Sequence, residues 1–245
     1  MPVANYVWFY DCEYNDDSEE IIKKVEKNLD YPVIVKPATL GSSVGISSAD
    51  NKQELIKAIE DAINYDSKVV VEEKVQNLVE VNISVLGNYE SQSLSEIEEV
   101  ITEHSLLTYE DKYINGGKKL GKSGMASASR IIPAEIDEKL KEEVRDIAIH
   151  AFKAVGLSGD VRIDFLIDNK KKKVYINEIN PCPGSLAFYL WEPTGKSFTT
   201  LLDDMITIGV KDYKRRVNKV HSFTTNILSG YGGLKGAKGL KGKLK

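Results

Sequence analysis

The hydrophobic positions change period along the chain, and the changes mark its elements. From Pro2 to Tyr10 the residues are apolar and aromatic with no acid or base, which predicts a strand. Asp17 with Glu20 three residues on has the form of a capping box and opens a helix to about Leu29. Tyr31 to Lys36 reads as a β-branched strand, and Pro37 to Gly45, PATLGSSVG, as a small-residue loop. Asn51 with Glu54 is a second capping box, and Leu55, Ile56, Ile59 and Ile63 give its helix one apolar stripe. Strands follow over Lys68–Glu73 and Glu80–Leu86, then a Gly/Lys/Ser-rich loop over 114–129. The longest helix is expected from about Glu135 to Val155, with Ile136, Leu140, Val144, Ile147, Ala151 and Val155 on one face and Gly156 as its stop. GDVRIDFLID and KVYINEIN are two strands joined by a polar turn over Asn169–Lys172, and a last helix spans about Phe198 to Ile208. The sequence has no internal repeat.

Composition narrows the class. The chain has 245 residues, one large domain or two small ones. Apolar residues at 42% and charged residues at 29% exclude a collagen, a mucin-like stalk and a wholly disordered chain. No apolar run reaches the roughly 18 residues of a membrane span, and the start lacks the basic n-region of a secretory signal. Two cysteines, Cys12 and Cys182, far apart in a chain of this size argue against a disulfide framework and for a cytosolic setting. The net charge of −4 conceals an asymmetry. Residues 231–245 hold five lysines and no acid and read as a flexible tail, leaving 28 basic against 37 acidic residues in 1–230. A body that acidic is a poor candidate for nucleic-acid binding.

The hairpin carries the strongest chemistry. Alternation puts Arg162 with Asp164 on one face, and Glu178 with Asn180. A turn symmetric about Lys171 sets Asp164 opposite Glu178, and Arg162 opposite Asn180. Two carboxylates and an amide oxygen suit a hard divalent cation, and magnesium takes one or two carboxylates plus nucleotide phosphates. Arg162 beside them could stabilise developing negative charge. The alternative is a solvated hairpin face, which the apolar Phe165, Ile167, Tyr175 and Ile176 argue against. KPATLGSSVG could cradle phosphates through backbone N–H groups and hydroxyls, although it lacks the order of a P-loop. The run Glu72-Glu73-Lys74-Val75, followed by Glu80, is either an exposed strand end or a place where the glutamates bond an adenine amino group and ribose hydroxyls. His104, His150 and His221 show no metal-ligand spacing. Cys182 reads as a small packing residue rather than a nucleophile, and Trp8, Phe9 and Tyr10 as residues packed on the sheet or on a further domain.

In order, YPVIVKPATLGSSVGI, VVVEEKVQNLVEVNISVLG, TYEDKY, GDVRIDFLID and VYINEINPCPG resemble the successive motifs of the D-alanine–D-alanine ligases of the ATP-grasp superfamily, over about residues 1–208. The resemblance implies an α+β ATP-grasp fold, with a smaller nucleotide-binding subdomain at 1–80 and a larger catalytic one at 81–230 clamping ATP. It implies that Lys36 contacts ATP phosphates and that Ser42, Ser43 and Val44 lie in the loop over them. Glu73, Lys74 and Val75 would line the adenine, with Glu80 on the ribose. Lys112 would be a second phosphate lysine, with Tyr113 beside it. Asp164, Glu178 and Asn180 would hold two magnesium ions, with manganese as an alternative. Arg162 and the backbone of Gly184 would stabilise a tetrahedral intermediate, and the 114–129 loop would close as a lid. The implied activity is ATP-dependent carboxylate–amine ligation through an acyl phosphate, on amino-acid substrates, in cytoplasmic peptidoglycan precursor synthesis.

Two features depart from that pattern. The family has an N-terminal domain of roughly a hundred residues, which helps bind the first amino acid and contributes to a homodimer. This chain starts within the nucleotide-binding part, which reads as a fragment or a stripped-down relative. The family also places a serine that binds the second substrate's carboxylate where Tyr189 stands here. That keeps open another ATP-grasp ligase with a different second substrate, and a non-catalytic nucleotide-binding fragment.

Overall fold

The computed structural model of the chain describes residues 1–41, 43–101 and 129–220. Two antiparallel sheets carry the fold. The first, in the order β1-β4-β2-β3, is built from β1 (Tyr6–Tyr10), β2 (Val33–Pro37), β3 (Ser47–Ala49) and β4 (Lys68–Glu73). Alternation sends Val7, Phe9, Val33, Val35, Val69 and Val71 to one face. There they meet Ile21, Ile22 and Val25 of α2 (Ser18–Asn28), and Leu55, Ala58, Ile59 and Ala62 of α3 (Lys52–Ile63). The opposite face takes Tyr6, Trp8, Tyr10, Ile34, Lys36, Lys68 and Glu72. Phe9 is therefore core, while Trp8 and Tyr10 are exposed, with Lys68 Nζ 4.2 Å from the Trp8 ring centre.

The second sheet runs β10-β9-β5-β7-β8, with β6 (Gln92–Leu94) also on β5. Its long strands are β5 (Leu78–Gly87), β9 (Gly159–Asp168) and β10 (Lys173–Asn180). β7 (Glu98–Ile101) and β8 (Ser129–Ile131) extend it on one side. Val81, Ile83, Val85, Val161, Ile163, Phe165 and Ile167 line one face, under Leu140, Val144, Ala148, Ala151 and Phe152 of α4 (Glu138–Val155). The other face is polar and holds Glu80, Asn82, Ser84, Arg162 and Asp164. A third apolar cluster, Leu86, Trp191 and Leu201, pins the segment after β10.

Several boundaries differ from the sequence expectation. A short helix α1 (Asp11–Asp16) follows β1 directly, its first turn tied by Tyr10 N–H donating to Glu13 at 2.7 Å. α4 starts at Glu138, because the Asp137 side chain accepts from Lys139 N–H and takes the cap. Gly156 ends it in the left-handed region. The last helix, α5 (Phe198–Val217), continues nine residues past Ile208. Its added turns expose Val210, Tyr213 and Val217 and so carry no core stripe for periodicity to find. Ser129 opens β8 and is not loop; the rest of the 114–129 segment and the 231–245 tail lie outside the described residues. Among the described residues, those up to Gly209 form one compact unit and those from Val210 on belong to another. No helix among the described residues is long and apolar enough to cross a membrane.

Candidate active site on the polar face of the larger sheet

The hairpin reaches its register by a route the sequence did not show. β9 and β10 pair Lys173 with Asp168 through Ile176 with Phe165, one residue out from a turn symmetric about Lys171. Continued unchanged, that register would set Asn177 opposite Asp164. A bulge between Ile176 and Glu178 removes the offset, so Glu178 faces Asp164 and Asn180 faces Arg162. β5 adds Asn82 opposite Asp164, and β7 adds Glu98 opposite Asn82. One polar rung, Glu98–Asn82–Asp164–Glu178, thus crosses four strands. The next holds Ser84, Arg162 and Asn180.

The side chains on these rungs are interlocked. Arg162 donates from Nε to Asp164 Oδ1 at 2.7 Å and from a terminal nitrogen to Oδ2 at 2.8 Å. Asn180 Nδ2 donates to the same Oδ2 at 3.0 Å. Burial works against the Arg162 charge, but the hydrogen bonds and charge of Asp164 outweigh it and raise its pKa above the ordinary value. Glu178 stands exposed beside them. Among the described residues no three His, Cys, Asp or Glu side chains converge as a metal cage. Two carboxylates and an amide fit magnesium better than a closed cage would, because this ion keeps phosphate or water oxygens for most of its shell.

Beyond β10 the chain turns sharply. Gly184–Leu190 is a 3-10 segment in which Ser185, Leu186 and Ala187 have φ of 54°, 53° and 43°. Three successive left-handed non-glycine residues carry roughly 1–2 kcal/mol of strain each. Buried Leu190 and Trp191 hold the segment down, and the Leu190 carbonyl accepts from Glu96 N–H at 3.0 Å. The strain thereby brings Tyr189 over the sheet. Ser185 is exposed, so Ser185→Gly is expected to raise stability by roughly 0.5–1 kcal/mol through relief of the left-handed conformation. Thermal unfolding checks this: a lowered melting temperature would contradict it.

Trp191 Nε1 donates to Asp160 Oδ1 at 3.2 Å, while Asp160 Oδ2 is buried with no hydrogen-bond partner among the described residues. Burial pushes the Asp160 carboxyl up to about 7, against the Trp191 hydrogen bond. The sequence reading passed over Asp160, Glu98 and Arg130. Glu98 on β7 and Arg130 on the edge strand β8 sit on short strands whose register is set by long-range pairing, so no local motif marks them. Arg130 lies over the Tyr189 ring at 4.2 Å, and its nearest terminal nitrogen is 3.6 Å from Glu98 Oε2. Burial and then the Glu98 charge raise the Tyr189 pKa, against Arg162 and Arg130.

The smaller sheet holds the remaining expected residues. Lys36 Nζ pairs with Glu72 at 2.7 Å on the face away from the core. Ser43, at φ 61°, and Val44 lie in the turn after β2, where Val44 N–H reaches the Gly41 carbonyl at 3.3 Å. Gly45 has φ 72°, and a Cβ there would sit 2.8 Å from Pro37 Cγ, so the turn demands glycine. Glu73 accepts from Asn5 Nδ2 at 3.0 Å, and Lys74 Nζ donates to Ser48 Oγ at 3.0 Å. Val75 lies between β4 and β5, and Glu80 is on β5 opposite Val100 and Leu166. Gly184 opens the strained segment. Ser42, Lys112 and Tyr113 lie outside the described residues. Cys182 is exposed rather than packed.

A family model described as the D-ala D-ala ligase C-terminus matches residues 1–207. The chain belongs to this D-alanine–D-alanine ligase family. Its similarity includes a D-alanine–D-alanine ligase of Thermosipho melanesiensis, 42% identical over 219 residues, 89% of this chain and 57% of the relative. D-alanine–D-alanine ligase B of Clostridium tetani is 41% identical, over 85% of this chain and 56% of its own length. Among solved structures, the VanG D-Ala:D-Ser ligase of Enterococcus faecalis matches with a TM-score of 0.69 and 30% identity, over 85% of this chain and 57% of that one. The chain thus spans somewhat over half the length of the ligases it matches. The family's α+β ATP-grasp architecture accounts for the two antiparallel sheets with helices on one face of each.

Proposed function

We propose that this chain carries the nucleotide-binding and catalytic part of an ATP- and magnesium-dependent carboxylate–amine ligase of the D-alanine–D-alanine type, in cytoplasmic peptidoglycan precursor synthesis. The observation that carries this reading is the interlocked set of Asp164, Glu178, Asn180 and Arg162 on adjacent rungs of one hairpin. Asp164, Glu178 and Asn180 would hold the magnesium, which when bound would supply positive charge to offset that of the phosphate oxygens. Residues 1–80 and 81–230 are taken as the two subdomains that hold ATP. Lys36 binds its phosphates together with the Ser42–Val44 turn and Lys112, while Glu73, Lys74, Val75 and Glu80 line the nucleoside. ATP phosphorylates the carboxylate of one amino acid, and the amine of a second displaces phosphate from the acyl carbon. Arg162, kept charged by Asp164, and the Gly184 backbone face the oxygen that becomes negative in that step, with Tyr113 nearby.

A second reading keeps the chemistry and changes the acceptor. The half-buried phenol of Tyr189 beside Glu98 and two guanidiniums favours an acceptor other than D-alanine. Calorimetric titration with magnesium-ATP, followed by phosphate release with D-alanine and other amino acids, tests both. Micromolar, magnesium-dependent nucleotide binding is expected, weakened at least about tenfold in Lys36→Met, a loss of roughly 1.4 kcal/mol or more. Absence of nucleotide binding would overturn the assignment, whereas turnover with another amino acid but not with two D-alanines selects the second reading.

A further inference from the structure

We propose that the C-terminal end of α5 is a docking face for an anionic lipid bilayer, on which the helix lies flat with Val210, Tyr213 and Val217 toward the acyl chains. This face begins beyond residues 1–207, the part that the family model matches, and the inference is independent of the ligase reading.

Charge is the first observation. Asp212 is the last acidic residue of the chain. Residues 213–245 hold nine lysines and arginines and no acid, which leaves 24 basic against 37 acidic residues in 1–212. Positive charge is thus gathered at one end of the sequence. Lys214, Arg215 and Arg216 stand in the last turn of α5, and Lys219 lies just past it. Lys235, Lys238, Lys241, Lys243 and Lys245 follow in the sequence.

The second observation is an apolar stripe within the second compact unit. Val210, Tyr213 and Val217 succeed one another at spacings of three and four, and so share one face of the helix. Such a face is ordinarily core, yet these side chains are 48%, 58% and 50% exposed. Val220, three residues further on, is exposed as well. At about 100° per residue, Lys214 falls on one side of the stripe and Arg216 on the other. Both are exposed, and the Arg216 guanidinium carbon is 5.9 Å from the Tyr213 ring centre.

The cationic borders name the partner. An apolar band between lysine and arginine matches the boundary between acyl chains and anionic head groups, where the band enters and the long stems reach back to phosphates. Tyrosine suits that depth, since its ring is apolar and its hydroxyl stays wet. A second copy of the helix on this face would bring like charges together at both borders. Nucleic acid would use the cations and leave the valines and the ring in water. Each basic residue near an anionic membrane strengthens binding about fivefold, so the lysines after α5 add to the same attraction. No helix among the described residues is long and apolar enough to cross a membrane, so α5 lies on the bilayer rather than through it.

Flotation of the full chain with lipid vesicles is the test. Vesicles of phosphatidylcholine and phosphatidylglycerol in equal parts are expected to bind it at least about tenfold more tightly than phosphatidylcholine alone, an advantage that shrinks as salt is raised. Lys214→Glu with Lys219→Glu is expected to weaken binding to the mixed vesicles at least about tenfold. Tyr213→Ser with Val217→Ser keeps every charge and is expected to weaken it at least about fivefold. All four side chains are exposed, so both double variants should melt with the wild type. Equal binding to the two kinds of vesicle, or binding to neither, overturns the proposal. Undiminished binding by the Tyr213→Ser, Val217→Ser protein also overturns it, by reducing the contact to charge alone. Release from the mixed vesicles by an RNA oligomer at equal phosphate concentration does the same, by making nucleic acid the partner. None of these outcomes touches the ligase reading, which is tested by nucleotide binding.

Discussion

Glu178→Gln is expected to abolish magnesium-dependent turnover of ATP, by at least about a thousandfold, while leaving the melting temperature within a degree or two. The rate effect corresponds to the several kcal/mol of charge stabilisation that a correctly held metal supplies. The substitution removes one negative charge and keeps the shape. Asp164 cannot make up the loss, because its single carboxylate is already one of the proposed ligands and is tied in place by Arg162 and Asn180. The fold should be indifferent, since Glu178 is exposed and packs in neither core. ADP formation as a function of magnesium concentration, beside a thermal melt, measures both quantities. Turnover unchanged at all magnesium concentrations would remove Glu178 from the metal site.

Asp160→Asn is expected to change how stability depends on pH. Burial beneath Trp191 raises the folded-state carboxyl to about 7, against about 3.8 in an ordinary aspartate. Below pH 4 the group is protonated in both states and contributes nothing unfavourable. Between pH 4 and 7 the unfolded chain has lost the proton and the folded chain keeps it, so stability falls as pH rises. Above pH 7 the buried anion costs the fold on the order of 4 kcal/mol. Asparagine does not titrate and can still accept from Trp191 Nε1. Denaturant unfolding at pH 5 and pH 8.5 should therefore show a decline in the wild type and a nearly level response in Asp160→Asn. Parallel pH profiles for the two proteins would mean that the carboxyl titrates normally.

The strands and helices that line the two cores were legible because each buries one face, and burial imposes a period of two or of about 3.6 on the sequence. Val81, Ile83 and Val85, or Leu140 and Val144, can be read without any knowledge of their partners. The pairing of Asp164 with Glu178 was legible as well, but for an incomplete reason. The symmetric turn imagined about Lys171 does not exist, and the bulge after Ile176 supplies the missing residue. A bulge leaves little trace in composition, since it is fixed by how two strands twist against the rest of the sheet.

By itself, then, the sequence determined the two apolar faces, the helices that cover them, and the acid, amide and arginine types on the hairpin. It did so because burial patterns and ligand chemistry are local properties of residue order. The tertiary structure alone decided that Glu98 and Arg130 join that hairpin from strands some thirty to eighty residues away. It alone decided that three left-handed residues swing Tyr189 beneath Arg130, and that Asp160 is sealed under Trp191. Those placements depend on long-range register and on which strained turn the packing of Leu190 and Trp191 can hold, and neither is encoded in any short stretch of chain.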